Sequence, residues 1–585
     1  MIATQLRAAV AAHRAGELDR ARALYAEVLR VDPRQPDALH MLGLLAQQSG
    51  DLAQARELIE TALAVQPDVA RTHYNLAVVC ALQDDRAGAI ASYQAAVAFA
   101  PDFAAAHSNL GNIYLRSGRC EDAIRAYQAA IHAQPDFAEV YSNLGTALIN
   151  LERFDEAITA LEAALRLAPE IPEAHANLGQ AYRRSGRFRE AIAATRRAVE
   201  LRPGYRDAYV NLAIAAYAIG AFDLSLEANI HALELGPSLE VHTHLSSVYH
   251  VTGRYAQAIA HCEAAIALRP DYAEAHVNRA VSMLVQGDFA GGWDEYPWMW
   301  RLPATRASYP YLDRAALWNG ETFVGRRLLI TRDQGFGDAI QLARYLPLVK
   351  ARGGSVVLEV APALVPLLGG LPGIDELRVH RDVATVDEAI DLHVPLSGLP
   401  RAFQTDATSI PAAIPYLRAP DERVERWRAR CNPPGRLRVG IVWGGNPDHE
   451  NDRNRSACLE DFAPLGNIGG IAWYGLQKGR DEERRSCGSL VLDPLGAEIE
   501  DFADTAAVLT QLDLVIAVDT SIVHLAGAMG KPVWTLLPFV PDWRWMLGRS
   551  DSPWYPTMRL FRQARAGDWG PVVAEVAREL AALRA

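Results

Sequence analysis

The sequence predicts an α-helical solenoid followed by two successive α/β halves built on parallel sheets. Two observations carry this. Pro33, Pro67, Pro101, Pro135, Pro169, Pro203 and Pro237 recur every 34 residues, with Pro270 one residue early. A fixed period in that range marks a stacked array of short helical units. From about residue 324 the period is replaced by apolar runs alternating with loops and amphipathic segments, the pattern of a parallel sheet covered by helices.

Each repeat reads as helix, turn, helix. In "AAAHSNLGNIYLRSGRCEDAIRAYQAAIHAQPDF", apolar residues at helical spacing fill both halves and Ser117-Gly118-Arg119 interrupts them. Small residues keep the same beat (Gly43, Ala77, Gly111, Gly145, Gly179, Ala213) and let paired helices approach. The proline falls just past the second helix, where a missing N–H costs little. Eight repeats span residues 2–272, and a partial ninth runs to about Ala290, where Gly291-Gly292 replaces the usual continuation. One repeat cannot bury its apolar face alone, so the units are expected to stack into a continuous array with a binding face.

The set His107, Leu110-Gly111, Tyr114, Ala123, Tyr127, Ala130 and Pro135 resembles the tetratricopeptide repeat. In arrays of that family, the position of Asn75, Asn109, Asn143, Asn177, Asn211 and Asn278, with His244 completing the row, lines the concave groove. A ladder of amides there offers donors and acceptors to the backbone of an extended protein or peptide partner. Asparagine is also an ordinary residue at this position of the family, so a purely structural row is the alternative.

The length of 585 residues accommodates several domains. We read 1–290 as the array, 291–323 as an aromatic connector, 324–418 as the first α/β half and 419–585 as the second. A net charge of −12 argues against a general nucleic-acid binder. The six cysteines are scattered without a CxxC pair, which indicates neither a metal knuckle nor a disulfide framework. The N-terminal stretch reads as an amphipathic repeat helix, not a signal sequence, and no apolar run is long enough for a membrane span. A cytoplasmic protein is expected. Trp293, Trp298, Trp300 and Trp318 read as a packed joint between domains in preference to a ligand platform.

In α/β sheets, ligands bind beyond the carboxyl ends of the strands, so the candidate chemistry is sought there. Gly337-Asp338 stands between "RRLLIT" and the next helix; Asp338 suits a general base, or a stabiliser of its own helix start. The loop "GGNPDHENDRNRS" offers Arg453, Arg455 and Ser456, a combination suited to a pyrophosphate. Gln477-Lys478 ends the strand "AWYGLQ", placing a cation near a phosphate or simply closing the strand. In "VDTSIVHLAGAMGKP", Asp519 can accept from a sugar hydroxyl, Thr520 and Ser521 open a helix whose free N–H groups attract anions, and His524 is a ligand contact or a packed residue. Trp543, Arg544, Trp545 and Trp554 suit base stacking or core packing. No metal-ligand spacing is evident, so no metal or cofactor is expected beyond a nucleotide-diphosphate sugar as donor substrate.

Jointly, "GFGDAIQLARYLP", the Arg-bearing loop and "VDTSIVHLAGAMGKP" resemble the heptosyltransferase group, glycosyltransferase family 9, over about residues 324–560. That resemblance implies a GT-B fold of two facing Rossmann-like domains and metal-independent transfer with inversion. It assigns the base to Asp338, the donor-phosphate contact to Arg453 or Arg455, and a donor-proximal segment to Asp519, Thr520 and His524. The first half is short for that family, and the array is foreign to it. Repeats joined to a GT-B domain look like the O-linked N-acetylglucosamine transferases, which glycosylate proteins. The expected function is therefore transfer of a sugar to a protein or peptide held by the repeats. The alternatives are a glycan or lipid-linked acceptor with repeats that recruit partners, and a scaffold whose transferase half is inactive.

Overall fold

The computed structural model describes residues 2–583 apart from 307, 333–334, 381–388, 432–434, 450 and 480–482. The chain divides into two compact units, Met1–Pro237 and Ser238–Ala585. In the first, antiparallel helix pairs run from Ile2–Arg14 with Leu18–Val31 to Arg206–Ala218 with Phe222–Glu234. The helices end two residues before the periodic prolines, three before Pro237. The small residues sit at the tightest approaches: a Cβ on Gly111 would stand 2.5 Å from the Tyr127 ring, and one on Gly145 2.5 Å from Leu161 Cγ. Gly118 and Gly186 turn the chain between paired helices at φ of 72° and 78°, where a side chain would be strained.

The second unit opens with two more helix pairs, Leu239–Val251 with Tyr255–Leu268 and Ala273–Val285 with the shorter Phe289–Glu295. These last repeats share a continuous core with the α/β portion. Tyr255, Leu284, Val285, Phe289 and Trp293 are buried in the same apolar cluster as Leu328, Ile330, Trp543 and Trp545. Trp293 meets Trp543 edge-on at 5.0 Å, and its indole N–H donates to the Thr405 carbonyl at 2.8 Å. Trp300 and Trp318 are buried, and Trp298 lies flat on His276 at 4.0 Å. The tryptophan-rich stretch is thus a packed joint, because rings this large stabilise most when removed from water on all sides.

The first sheet comprises β1 (Ala316–Leu317), β2 (Arg327–Thr331), β3 (Ser355–Val360), β4 (Glu376–Val379) and β5 (Leu392–Pro395), all parallel, in the order β1-β5-β2-β3-β4. The second holds β6 (Leu437–Val442), β7 (Ile471–Gly475), β10 (Asp493–Pro494), β11 (Leu514–Val518), β12 (Val533–Leu537) and β13 (Met558–Arg562), also parallel, in the order β10-β7-β6-β11-β12-β13. Two short strands, β8 (Ser486–Cys487) and β9 (Leu490–Val491), form a separate hairpin. Both large sheets reverse direction beside their first long strand. The reversal lies between β2 and β5 in one and between β6 and β11 in the other, and a crevice for ligands opens at such a switch point.

The expected long helix after β2 is broken into Phe336–Leu342, a 3₁₀ turn at Ala343–Tyr345, and Leu346–Lys350. Pro347 supplies the reason, since its ring removes an N–H and crowds the carbonyl one turn earlier. The Pro-rich stretch between the halves carries no regular structure from Ile410 to Pro420. It is pinned by Tyr416 N–H donating to the Ala528 carbonyl at 3.0 Å.

Because the last two repeats are core to the second unit, a chain begun at Ser238 is expected to unfold in one cooperative transition followed by circular dichroism. A chain begun at Ala273 lacks buried Tyr255 and is expected to melt at a clearly lower temperature. Within the longer chain, Leu284→Ala should cost about 2–5 kcal/mol in denaturant titration.

Candidate active site where two helix starts meet

The crevices of the two sheets are brought together by the helices that follow β2 and β11. These are Phe336–Leu342 and Ser521–Ala528. Their starts approach so closely that a Cβ on Gly337 would stand 2.9 Å from His524 Cδ2 and 3.6 Å from Ser521 Cα. Gly337 is therefore a space requirement of the joint. Gly335 has a similar role, because a Cβ there would collide with the Asp338 carboxylate folded back over the loop.

Asp338 stands in the first turn of its helix and forms an ion pair with Arg544, which comes from the turn Trp543–Trp545 after β12. Arg544 is buried. It also donates to Gln341 Oε1 at 2.5 Å and to Asp542 Oδ1 at 2.7 Å. Burial works against its charge, but Asp542 and Asp338 outweigh burial and hold its pKa above the usual arginine value. The Asp338 side chain keeps about a third of its surface in solvent.

Asp519 follows β11 directly. It is buried and accepts the Trp545 indole N–H at 2.8 Å. Burial, reinforced by Asp542, pushes its carboxyl up to about 6, while the Trp545 hydrogen bond, Arg455 and Arg544 act in the opposite direction. Thr520 occupies the N-cap position of the Ser521 helix, yet its hydroxyl makes no capping bond. Its Oγ1 is buried without a hydrogen-bond partner among the described residues. Arg455 Nε is also buried without a hydrogen bond to any described residue, 3.8 Å from Asp452 Oδ1. Gly445 makes room for that guanidinium, since a Cβ there would lie 2.9 Å from Arg455 Nη2. Buried donors without acceptors cost free energy, and they are the groups an anionic ligand would satisfy.

His524 is buried. Its ring stacks on Trp545 at 5.2 Å, and Nδ1 lies 3.1 Å from the Tyr555 hydroxyl. Burial, then Arg544 and Arg344, push its pKa well below the ordinary value, so the imidazole is neutral. The last complete repeat also reaches this region. His250 Nδ1 sits 2.9 Å from Ser282 Oγ; burial pushes its pKa down to about 4, with the charge on Asp542 opposing the shift.

Other sequence candidates are occupied elsewhere. Gln477 is buried; its Oε1 accepts from Gly444 N–H at 2.9 Å and its Nε2 donates to the Gly444 carbonyl at 3.0 Å, so it shapes the loop after β6. Ser456 Oγ accepts from Gly445 N–H at 2.9 Å and donates to Asp452 Oδ1 at 2.6 Å. Lys478 Nζ is tied to the Ile499 and Gly496 carbonyls at 2.7 and 3.2 Å. Arg453 is exposed, so of the two loop arginines Arg455 is the one turned inward. Trp543, Trp545 and Trp554 are buried and present no free face for a base. The bridging role of Arg544 has no local sequence signal, because its partner Asp338 is 206 residues away. Among the described residues, no group of three or more His, Cys, Asp or Glu is placed to hold a metal ion.

In the first unit the asparagine row is half-buried, and its amides stitch neighbouring repeats. The side-chain nitrogens of Asn75, Asn109, Asn143 and Asn177 lie 2.7–3.0 Å from His40, Tyr74, Asn112 and Thr146 of the preceding repeat. Asn278, in the second unit, reaches Ser246 Oγ at 2.9 Å in the same way. Asn211 differs: its Oδ1 accepts from Arg183 Nε at 3.1 Å.

Residues 40–104, 108–172, 142–205, 176–239 and 249–292 match the tetratricopeptide repeat, so the N-terminal region is an array of that kind. The chain is 28% identical over 354 residues to Protein FlbA of Caulobacter vibrioides; the match covers 56% of this chain and 59% of FlbA, under two thirds of that protein's length. Among solved structures, MamA is 27% identical, with 28% of this chain and 95% of MamA covered at a TM-score of 0.27. The Cut9–Hcn1 hetero-tetramer of APC/C is 19% identical, with 46% and 52% covered at 0.35. YrrB, described as a TPR protein with an unusual peptide-binding site, is 22% identical, with 34% and 99% covered at 0.30. No helix among the described residues is long and apolar enough to cross a membrane.

Asp519 provides a test of the site's electrostatics. Its folded pKa is raised above the unfolded value, so the native state binds the extra proton between about pH 4 and 6. The stabilisation from holding the carboxyl neutral is present below pH 4 and is lost as pH rises through 6. Asp519→Asn keeps an acceptor for Trp545 without the charge. Relative to wild type, this variant should therefore gain stability as pH rises from 4 to 6 and level off above. A parallel pair of stability–pH curves would refute the assignment.

Proposed function

We propose that the second unit is an inverting glycosyltransferase that moves a sugar from a nucleotide-diphosphate donor to a hydroxyl of a protein or peptide held by the repeats. The observation that carries this reading is the pairing of a partly open carboxylate, Asp338, with buried donors lacking acceptors, Thr520 Oγ1 and Arg455 Nε, in one crevice. In this mechanism Asp338 takes the proton from the acceptor hydroxyl as its oxygen attacks the anomeric carbon. The bond to the diphosphate breaks on the opposite face, which inverts the configuration. The negative charge arriving on the diphosphate is met by Arg455, Thr520 and the free N–H groups at the start of the Ser521 helix. Arg544 orients Asp338 through one carboxylate oxygen and leaves the other for the acceptor. Gln477 and Ser456 act indirectly, by fixing the loop that carries Arg455.

A second reading, transfer to a glycan or lipid-linked acceptor, draws support from the way the last two repeats and the α/β halves form one unit separate from residues 1–237. The chain begun at Ser238 separates the two. Transfer to protein acceptors is expected to fail in it under the first reading, and transfer to a small acceptor to survive under the second.

Asp338→Asn should lower transfer turnover by about 10²-fold or more while leaving binding of the nucleotide-sugar unchanged by calorimetry. Unimpaired turnover would remove Asp338 from the mechanism. Arg455→Ala should show the complementary pattern, with weaker binding of the nucleoside diphosphate. Calorimetry across UDP-, GDP-, ADP- and CMP-sugars with no binding to any of them would favour an inactive scaffold.

A further inference from the structure

The imidazole of His524 is held at one end by a chain of buried hydroxyls. Its Nδ1 lies 3.1 Å from the Tyr555 hydroxyl, and Tyr555 is fully buried. Gly527, three residues along the same helix, makes room for that ring, since a Cβ there would stand 2.5 Å from Tyr555 Cγ. Burial above all keeps the Tyr555 hydroxyl protonated. A hydrogen bond to the Tyr416 hydroxyl acts in the same direction, against the charges of Arg344 and Arg544. Tyr416 in turn donates to the Ile340 carbonyl at 3.0 Å and accepts from Arg344 Nη2 at 3.1 Å.

Only one arrangement of protons makes every bond in this chain. A phenol carries a single proton. That of Tyr416 goes to Ile340, whose carbonyl can only accept, and the Arg344 guanidinium can only donate. The Tyr416 oxygen therefore has a lone pair left for Tyr555 and no proton to give it. With its own proton turned to Tyr416, Tyr555 offers His524 a lone pair, and Nδ1 must carry the imidazole proton. A neutral ring has one N–H, so Nε2 is bare. The Cδ2–Nε2 edge is the one beside Gly337, where a Cβ would stand 2.9 Å from Cδ2 and 3.5 Å from Nε2. Among the described residues, none hydrogen-bonds to Nε2; the ring's bond is the one through Nδ1.

We propose that Tyr555 and Tyr416 are positioning residues that fix His524 in its Nδ1–H form, so that Nε2 accepts from a hydroxyl of the sugar donor and does not serve its phosphates. An imidazole lone pair takes an O–H group, whereas an ionised phosphate oxygen has no proton to give it. The diphosphate is left to Thr520, Arg455 and the start of the Ser521 helix. The identity of the ligand rests on the glycosyltransferase reading. The tautomer does not, because it follows from bonds within the protein.

Long-range proton–nitrogen NMR spectra of the full chain, with isotope-labelled histidine, report the tautomer, and His524→Asn identifies the signal by its loss. Wild type should show Nδ1 protonated and Nε2 bare. Tyr416→Phe removes the acceptor for Tyr555, whose proton then turns to His524, and the signal should switch to the Nε2–H form. Tyr555→Phe leaves Nδ1 without a partner and should give a mixture of both forms. An Nε2–H signal in wild type, or a tautomer unchanged in both variants, would overturn the proposal. Calorimetry with UDP, GDP and ADP, their 2′,3′-dideoxy forms and their glucose conjugates tests the ligand. Tyr416→Phe should weaken the recognised ligands by about three- to tenfold. A ribose hydroxyl is the group if the dideoxy forms escape this loss, and a sugar hydroxyl if the free diphosphates escape it. Equal weakening of all ligands, or of none, would overturn the hydroxyl contact. Binding of no ligand by wild type would overturn that contact together with the transferase reading, while the spectra still decide the tautomer.

Discussion

Arg544 is the residue on which the geometry of the second unit depends. A guanidinium withdrawn from water costs several kcal/mol unless it is matched by charge and hydrogen bonds. The match here comes from two different sheets' connections. Asp338 and Gln341 belong to the helix after β2, and Asp542 to the turn after β12. A second buried arginine runs the other way. Arg344, from the first half, donates to the Trp554 carbonyl at 2.8 Å and to Tyr416 at 3.1 Å, with its charge near the Tyr416, Trp554 and Tyr555 rings. Directional bonds in both directions set the register of the two halves far more tightly than apolar contact alone would. His524 lies near both cations, which together with burial explains its neutral state.

That register places unfavourable groups together. A carboxyl pushed up to about 6, a threonine hydroxyl without a partner and an arginine nitrogen without an acceptor occupy the end of one crevice. Native proteins leave few such groups unsatisfied, and those that remain concentrate at functional sites. Their presence at a topological switch point, beyond the ends of β6 and β11, is what separates this region from an ordinary domain interface. The surrounding core is well packed: Trp443, Trp545, Trp554 and Tyr555 are all fully buried. The unsatisfied donors are therefore a local feature within a well-formed core.

The fold was legible to the extent that its constraints repeat or are local. Each helix pair must meet the same kind of neighbour, so prolines and small residues recur on a fixed beat and can be counted. Buried parallel strands are continuous apolar runs, and β2, β3, β5, β6, β7, β11 and β12 are readable on that basis. β4 and β13 were not, because "ELRV" and "MRLFR" interleave charges with apolar residues at half-covered edges. At the site, proximity to a strand end was legible but orientation was not. Gln477, Ser456 and Lys478 have the right chemistry and the right address, yet their polar atoms are consumed by backbone and loop groups. Nothing in the local sequence distinguishes them from Thr520 or Arg455, since a bond that closes a loop and a bond that awaits a ligand need the same residue types. The tryptophans after β12 carry a similar ambiguity, which the fold resolves in favour of the core.

The junction after the eighth repeat follows from the physics of a solenoid's end. A stacked array exposes an apolar face at its last unit unless something covers it. The final helix pair here keeps the array's own features, with Asn278 bonded back to Ser246. It also turns Leu284, Val285 and Phe289 into the α/β core. Gly292 permits the close return, since a Cβ there would stand 2.5 Å from Leu284 Cγ. Trp293 then fills the space against Trp543, the residue beside Arg544. The α/β portion thus caps the repeats, and the cap's contact runs through the turn that holds Asp542 and Arg544 in place. A change in the packing of Trp293 therefore reaches Asp338 through one short turn, without passing through either sheet.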